Sequence, residues 1–379
     1  MSTYKIYKYR LYPNRLQQNT LDEMLEIARH LYNYAIQYRR KRWKESRYSV
    51  TYFEQATMWR DWRNECPEDN PLRLLNMSAG QQLLRRLDKA YKAFLKGDRG
   101  LPRYKSKKHF HSLEFRYGDG CKLKIEHKTI FYIQNIGEVK VKLHRSLPNG
   151  AKIPHVVLKC SRGKWYVCFS VEIADSSVQI HSGPHIGIDM GLSALITLSN
   201  GNKVGNPRWA RQKAVKMRVI QRRLNRRKKG SSRWKKDALI ASKLHEQIAN
   251  ARRDFWHKVT HDITASYSLV AIEDLNLEFM TRNKNLAFSA NDASLGLFRQ
   301  LLIQKASYTG CRIVIVNAYN TSQICSNCEI IVPKDLSMRV HYCPHCGLVI
   351  DRDHNAAINI LKLAFNMAGA LPLGAKVDQ

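Results

Sequence analysis

The chain has 379 residues, enough for two or three domains, and its 44% apolar and 9% aromatic residues are typical of a folded protein and not of a disordered one. Its 64 Lys and Arg against 31 Asp and Glu give a net charge of +33, which predicts a polyanionic partner, first of all nucleic acid; a solvated basic surface or a ribosomal-type protein is the plainer alternative. No apolar run approaches the roughly 18 residues that cross a bilayer, and the N-terminus lacks the apolar core of a signal peptide, so we expect an intracellular protein with no membrane partner.

The N-terminal region is predicted to begin with a strand and continue as helices. Residues 4–12 form a strand that a proline stops, and apolar residues at helical spacing follow from Asn14, a candidate N-cap. A second helix is predicted from Ser78 to about Lys96. We interpret residues 14–97 as a small helical module whose aromatic side chains lie in its core, with stacking on nucleotides as the alternative.

A segment rich in Gly, Pro and basic residues separates this module from a β-rich region. Beyond it, turn residues separate five short runs: CKLKI, TIFYI, EVKVKL, HVVLKC and KWYVCFSVEI. This spacing predicts a small antiparallel β-barrel over residues 98–180. Such barrels often bind nucleic acid.

The second half of the chain is predicted to alternate strands and helices. The run IGIDMG is a buried strand that ends in a carboxylate, and ALITL is its return strand. From Arg208 to Lys236 there are 14 Lys and Arg and no Asp or Glu. An apolar stripe through this span predicts two antiparallel helices joined by a basic tip, for which we favour phosphate contact over a merely solvated face. Strands are further predicted at residues 268–274 and 312–318, and helices at residues 298–306 and 355–367.

Three acids stand at the ends of apolar segments: Asp189, Glu273 and Asp353. A carboxylate at the edge of a buried strand is costly unless it is paired or binds a metal. Carboxylate oxygens select Mg²⁺ or Mn²⁺, and two such ions can activate water and stabilise the leaving oxygen of a phosphodiester. The three acids in so basic a protein therefore predict a nuclease site.

Each acid also has a plainer interpretation, and neighbouring residues compete with it. Asp353 could simply cap its helix. Strand alternation places Asp274 on the face opposite Glu273, and Asp351 is expected at the start of a helix or in solvent. Asp262 is a further competitor. For His354 we favour a structural role, with participation at the site beside Asp353 as the alternative.

Four cysteines have the spacing of a zinc ribbon. The pairs Cys325–Cys328 and Cys343–Cys346 are both CxxC, with 14 residues between the pairs. Four thiolates around one tetrahedral Zn²⁺ leave no open position, so we predict a structural zinc on which local folding depends; free thiols or a redox pair are the alternatives. The remaining cysteines are expected to be buried thiols.

These motifs together resemble the TnpB family, the RNA-guided DNA nucleases of bacterial insertion sequences and relatives of the type V CRISPR effectors. The resemblance covers nearly the whole chain. GLPRYKSKKHFHSLEFRY resembles the family's PRFKsK segment, GIDMGL its first RuvC-like motif and AIEDLNL its second. SANDASLGLFRQLLIQKA is similar to the DASWG segment, with Leu295 where Trp is common, and TSQICSNC, YCPHCG and DRDHNAAINI match the zinc ribbon and the third motif.

The resemblance implies an α+β multidomain fold. Residues 14–97 would be a helical recognition module and residues 98–180, with residues 1–13, the β-barrel (wedge) domain. An RNase H-like (RuvC) α/β nuclease domain would span residues 181–320 and 350–367 with the zinc ribbon, 321–349, inserted, and residues 368–379 are expected to be a disordered tail. The family's D-x-N-A-A motif form selects Asp353 over Asp351 as the third catalytic acid.

The implied activity is Mg²⁺-dependent cleavage of double-stranded DNA that matches a guide RNA from the transposon end, next to a short flanking motif. Alternatives are a silent RNA-guided regulator, an unguided RNase H-like recombinase and a zinc-ribbon transcription factor. We expect a monomer on one RNA in the bacterial or archaeal cytoplasm, associated with the nucleoid. The expected nucleic-acid contacts are Arg103, Lys105, Lys107, Arg222, Arg223, Arg226, Arg227, Lys228 and Lys229.

Overall fold

The computed structural model of the chain describes residues 3–125, 129–148, 150–173, 182–317, 319–335 and 338–367. The expected disordered tail, residues 368–379, lies outside them. The chain divides into two compact units, Met1–Asp175 and Ser176–Gln379. In the described ranges no helix is both long and apolar enough to cross a membrane.

Three helices form the helical part of the first unit: α1 (Arg15–Ser46), α2 (Tyr52–Glu65) and α3 (Met77–Leu95). Asn14 caps α1 as predicted, because its side chain accepts the Gln17 N–H while the Gln17 side chain accepts the Asn14 N–H. Helix α2 is not among the sequence-based expectations. Thr51 and Glu54 form a second capping box at its start, which is the sequence signal that could have revealed it.

The aromatic residues of this helical part divide between core and surface. Trp59 is fully buried, and a Cβ at Gly80 would come within 2.2 Å of its ring, so this close approach of α3 requires glycine. Trp43 and Phe53, in contrast, are 51% and 78% exposed. The expectation of core aromatics is therefore confirmed for Trp59 and wrong for these two.

Seven antiparallel strands form the sheet of the first unit: β1 (Thr3–Tyr12), β2 (Ser112–Arg116), β3 (Cys121–Ile125), β4 (Thr129–Ile133), β5 (Gly137–Lys142), β6 (His155–Ser161) and β7 (Lys164–Ile173). Their order is β2-β6-β7-β1-β5-β4-β3. The N-terminal strand thus lies in the middle, paired with β7 and β5. In this order β2 and β3 stand at opposite ends, so closure into a barrel stays a prediction.

The sheet of the second unit combines β8 (His185–Met190), β9 (Ala194–Leu198), β10 (Lys203–Gly205), β11 (Leu269–Glu273) and β12 (Arg312–Val316) in the order β10-β9-β8-β11-β12. The first three strands are antiparallel, and β8, β11 and β12 are parallel. Every residue of β11 is buried, as its continuous apolar sequence predicts.

Seven helices accompany this sheet in the described ranges: α4 (Trp209–Gln212), α5 (Ala214–Arg226), α6 (Ser232–Ser266), α7 (Leu277–Arg282), α8 (Ala287–Ala293), α9 (Leu295–Thr309) and α10 (Arg352–Met367). Helix α10 packs closely on β8. The approach leaves no room for a side chain at Gly187, because a Cβ there would lie 2.1 Å from the Ala357 carbonyl oxygen. A two-stranded ribbon, β13 (Val340–Tyr342) and β14 (Val349–Asp351), precedes α10.

The predicted basic hairpin is α5 with the first turns of α6. Ile220 packs on Ala241 and Leu244, Lys213 bonds to Gln247 near one end, and Arg227 pairs with Asp237 near the other. As residue numbers increase along α5, the numbers of their contact partners in α6 decrease. The two helices are therefore antiparallel, as predicted.

Candidate active site and zinc ribbon

The three predicted acids are carried by adjacent elements of the second unit. Ile188 and Ile272 are register partners in the parallel pair β8–β11, so the residues that follow them, Asp189 and Glu273, are neighbours at the carboxyl ends of these strands. Asp353 lies in the first turn of α10, the helix that packs against β8. The strand ends and the helix start thus bring all three carboxyls to one edge of the sheet.

Mutual repulsion and burial dominate the electrostatics of this edge. Burial, followed by the charges of Glu273 and Asp353, raises the pKa of Asp189 to about 8, and the nearby Arg352 guanidinium offsets only part of this. Burial also raises the pKa of Glu273, whose residue is 6% exposed. A divalent cation among these carboxyls would relieve both effects, and this is the behaviour expected of a metal-binding acid cluster.

Two side chains outside the predicted set hold the acids in place. The Thr321 hydroxyl, itself buried, donates a hydrogen bond to Glu273 Oε1. The Arg352 guanidinium lies 3.1 Å from the Asp353 carboxylate. Neither residue was predicted from the sequence; Arg352 could have been noticed as a cation between two acids, whereas nothing near Thr321 in the sequence marks it.

Asp351 has a structural task that distinguishes it from Asp353. Its carboxylate caps α10 by accepting the N–H groups of Asp353 and His354, each at 3.1 Å, and it pairs with Lys203 at 2.7 Å. Burial opposes its ionisation, but the hydrogen bonds from Lys203 and the His354 backbone outweigh burial and lower its pKa. The expected position of Asp351 at a helix start is confirmed, and the alternative that Asp353 merely caps the helix is wrong.

The other competing residues have partners of their own or are exposed. Asp274 is exposed and pairs with Arg299 at 2.9 Å, on the opposite side of its strand from buried Glu273. A ring nitrogen of His354 lies 3.1 Å from the Ser199 carbonyl oxygen, so this histidine braces the turn after β9. Asp262 lies on the long helix α6 as an exposed residue.

The four predicted cysteines converge, and they do so more tightly than the acids. Their sulfur atoms all lie within 4.8 Å of one another, and this is the single such cluster of metal-ligating atoms in the described part of the chain. The pairs Cys325–Cys346 and Cys328–Cys343 are each 3.6 Å apart, close to the separation of about 3.8 Å that Zn–S bonds of 2.3 Å impose on a tetrahedron. The donor set therefore fits one closed zinc site.

Both CxxC turns have the same backbone geometry. In the first, the Cys325 N–H donates to the Ile330 carbonyl and the Cys325 carbonyl accepts the Glu329 N–H; in the second, Cys343 makes the equivalent bonds to Leu348 and Gly347. Glu329 and Gly347 adopt φ values of +64° and +73°. Two equivalent turns that present paired sulfurs are what a structural tetrahedral site requires.

Helix α10 fastens the first of these turns to the sheet. The fully buried Asn355 accepts the Ser326 N–H at 2.8 Å and donates to the Ile324 carbonyl at 2.7 Å. Asn359 donates to the Thr321 and Ile324 carbonyls. The helix that carries Asp353 therefore also holds the segment that contains Thr321 and the first cysteine pair.

The predicted nucleic-acid contacts are mostly exposed, with two departures. Lys105 is half-buried, and its backbone N–H and carbonyl both bond to Asn33. Arg227 is half-buried and pairs with buried Asp237 at 2.8 Å, so its charge is compensated within the hairpin. The exposed members are Arg103, Lys107, Arg222, Arg223, Arg226, Lys228 and Lys229.

Comparisons with known proteins match this architecture along the chain. Three family models match: "Probable transposase" (OrfB_IS605) over residues 168–284, "Cas12f1-like, TNB domain" over residues 296–360 and a "Helix-turn-helix domain" (HTH_OrfB_IS605) over residues 1–47. A Streptomyces pristinaespiralis protein named "Putative RNA-guided DNA endonuclease" is 29% identical over 94% of this chain and 88% of its own length. An Escherichia coli K12 protein named "Putative RNA-guided DNA endonuclease InsQ" is 28% identical over 95% of this chain and 92% of its own length. These matches confirm the resemblance to the TnpB family.

Solved structures with the same fold extend the relationship. A Cas12f1 chain in a complex with sgRNA and target DNA superposes with a TM-score of 0.60 over 92% of this chain and 82% of its own, at 15% identity. The mini-RNA-guided endonuclease CRISPR-Cas_phi3 superposes with a TM-score of 0.57 over 96% of this chain and 92% of its own, at 9% identity. At these identities the likeness concerns the fold: a mixed α/β architecture with a cysteine cluster.

Proposed function

We propose that this TnpB-family chain is a guide-RNA-directed DNA endonuclease. It would cut double-stranded DNA that matches the guide, beside a short flanking motif, by Mg²⁺-dependent hydrolysis of a phosphodiester bond. The single observation that carries the proposal is the meeting of Asp189, Glu273 and Asp353 at one sheet edge, with burial and mutual repulsion raising the pKa of Asp189 to about 8. The names of the full-length relatives support the guide and the substrate.

The three carboxylates would hold one or two Mg²⁺ (or Mn²⁺) ions, which when bound supply an activated water and stabilisation of the leaving oxygen. Glu273 is oriented for this by the Thr321 hydroxyl. Arg352 would balance the charge of Asp353 before metal binds. The four cysteines would hold one structural Zn²⁺ that contributes no chemistry to the cut.

The remaining assignments follow the same proposal. The order β10-β9-β8-β11-β12, with an antiparallel half and a parallel half, supports an RNase H-like (RuvC) domain in the second unit. The helices and seven-stranded sheet of the first unit would form the recognition and wedge domains that hold the guide RNA. We further propose one chain per guide RNA, acting in the cytoplasm at the nucleoid.

The function is tested with the full-length protein and the RNA that copurifies with it. That RNA is sequenced, and plasmid DNA carrying a match to it beside a randomised flank is incubated with the complex, with and without Mg²⁺. We expect cutting with Mg²⁺ at matched sites that share one flank. Asp189→Ala should abolish cutting and leave the copurified RNA unchanged.

Asp274→Ala is the matched control, because it removes an acid one residue from Glu273 that faces away from the cluster. It should cut at the wild-type rate within a factor of about three, the range expected of an exposed residue. Cutting that persists in Asp189→Ala would overturn the catalytic assignment. Matched DNA that is bound but never cut by the wild-type complex would favour a silent RNA-guided regulator instead.

A further inference from the structure

The first unit contains a basic cavity. Its volume is about 710 Å³, and it is bordered by α1, α3 and the segment from residue 98 to residue 112. Cavities that hold small molecules in proteins measure about 300–1,000 Å³, so this one is large enough for a nucleotide. One acid, Asp98, faces six basic or imidazole side chains: Arg86, Lys89, Arg99, Lys105, His109 and His111.

Arg86 is the least solvated of these cations. Its guanidinium lies over the Phe110 ring at 5.3 Å and donates to the Ser112 hydroxyl at 3.2 Å. Burial lowers its pKa, and the nearby Tyr32 and Glu114 offset only part of this. In the described ranges Glu114 and the other carboxylates all lie more than 4.0 Å from the guanidinium, so it forms no ion pair there. A half-buried cation that lacks an ion pair is stabilised by an anion that enters the cavity.

Segment 98–112 is fixed in place, so the cavity is a formed feature and not a gap under a loose loop. Asn33 bonds to both backbone groups of Lys105, at 2.7 and 3.0 Å. Arg40 donates to the Pro102 carbonyl at 2.8 Å and stacks on the Tyr104 ring. These contacts hold the lining residues Arg99 and Lys105 against α1.

We propose that this cavity holds one unpaired nucleotide of the bound RNA, with its phosphate on Arg86. The Phe110 and Tyr32 rings, which line the cavity and lie 5.3 and 6.0 Å from the Arg86 guanidinium, would stack on the base. An RNA is favoured over the DNA target because proteins recognise RNA through splayed-out nucleotides that stack on aromatic rings and arginine planes, whereas a paired DNA base must first be unstacked at a cost. The proposal rests on the proposed function, since it names a contact of the guide RNA.

The test measures the affinity of the full-length chain, stripped of RNA, for its own copurified RNA, which is radiolabelled and added back over a range of salt concentrations. Arg86→Gln keeps a hydrogen-bond donor and removes the charge; Arg85→Gln is the matched control, because Arg85 is exposed and bonds to the Tyr52 hydroxyl outside the cavity. We expect Arg86→Gln to weaken binding about tenfold or more and to reduce the salt slope by about one. Arg85→Gln should weaken binding less than about threefold.

A second variant reduces the volume of the cavity and leaves its charge unchanged. Ala90→Phe fills the cavity without changing any charge, so it should exclude the nucleotide together with its phosphate, weaken binding and reduce the salt slope as Arg86→Gln does; Leu95→Phe, at a 75% exposed position of the same helix, is its control. Thermal unfolding establishes that each variant is folded. Equal effects of Arg86→Gln and Arg85→Gln, or full affinity in Ala90→Phe, would overturn the nucleotide site and leave the nuclease proposal intact. A wild-type chain that neither retains nor rebinds RNA would overturn both.

Discussion

The second unit contains two metal-type clusters that differ in how far the protein alone has assembled them. The four cysteine sulfurs already lie within 4.8 Å of one another, close to the arrangement a zinc ion needs. The three carboxyls are near enough for repulsion to add to burial in raising the pKa of Asp189 to about 8, but they are not gathered as tightly. Instead, Glu273 accepts a hydrogen bond from Thr321, and Asp353 pairs with Arg352.

This difference has a physical cause. Each cysteine pair is presented by one short turn, so local backbone geometry brings its two sulfurs together. The acids come from two strands and a helix, and full convergence of three charges in a poorly solvated place is unfavourable without a cation. A thiolate cluster can therefore act as a fixed structural part, whereas the carboxylate cluster is completed by metal and by the substrate phosphate.

The largest expected effect is the loss of one zinc ligand. Cys325→Ser removes a buried sulfur, and because structural zinc contributes about 10–16 kcal/mol of apparent binding free energy, we expect the zinc content measured by mass spectrometry to fall from one per chain towards zero. Cys66→Ser changes a half-buried cysteine outside the cluster and should keep full zinc. A Cys325→Ser protein with one firmly held zinc would show that the thiolate cluster is not the metal site.

The next effect distinguishes two acids that are only two residues apart. Asp353→Asn should reduce DNA cutting on the order of 10⁴-fold, the size of loss seen when a member of a catalytic unit is removed. Asp351→Asn should reduce it less than about tenfold, because Asn caps helices as well as Asp. Single-turnover cleavage rates measure both. Equal losses would mean that the pairing of Asp351 with Lys203 matters as much as the acid cluster itself.

The repulsion within the carboxylate cluster predicts a pH dependence of stability in Mg²⁺-free buffer without chelator, so that zinc is retained. Asp189 has a folded-state pKa of about 8 against 3.8 when unfolded, so folding binds a proton, and the wild type loses stability as the pH rises from about 4 to about 8. Asp189→Asn lacks this loss. Its stability advantage in thermal unfolding should therefore grow by about 2–4 kcal/mol between pH 5 and pH 8.

Added Mg²⁺ provides the control for this pH effect. It should stabilise the wild type at pH 8 and leave Asp189→Asn nearly unchanged, because the cation compensates the charge that the variant has already removed. A constant difference between the two proteins across the pH range would contradict a raised pKa at Asp189.

The sequence predicts the features that depend on local pattern and leaves out those that depend on tertiary approach. The CxxC pairs, the Asn14 cap and the apolar strand that ends in Glu273 are visible because period, spacing and residue type determine them. The roles of Thr321 and Asn355 and the pairing of Arg227 with Asp237 are not visible, because the partners lie in different elements. The sequence alone does not distinguish these polar residues from solvent-exposed ones. Helix α2 lies between these cases: its capping box was present, but its aromatic residues break the apolar stripe.

The smallest effect tests whether the two clusters depend on each other through Asn355. Asn355→Ala leaves the Ser326 N–H buried without its acceptor and removes one of the two amide donors to the Ile324 carbonyl, so we expect a loss of about 1–3 kcal/mol in the free energy of unfolding. Zinc should remain bound, because all four thiolates are untouched, while the cutting rate should fall as the segment carrying Thr321 loosens. Asn291→Ala is the control, since this exposed asparagine bonds only to its own helix and should change neither quantity. If Asn355→Ala retained full cutting, the zinc ribbon and the acid cluster would be neighbours in sequence that work independently.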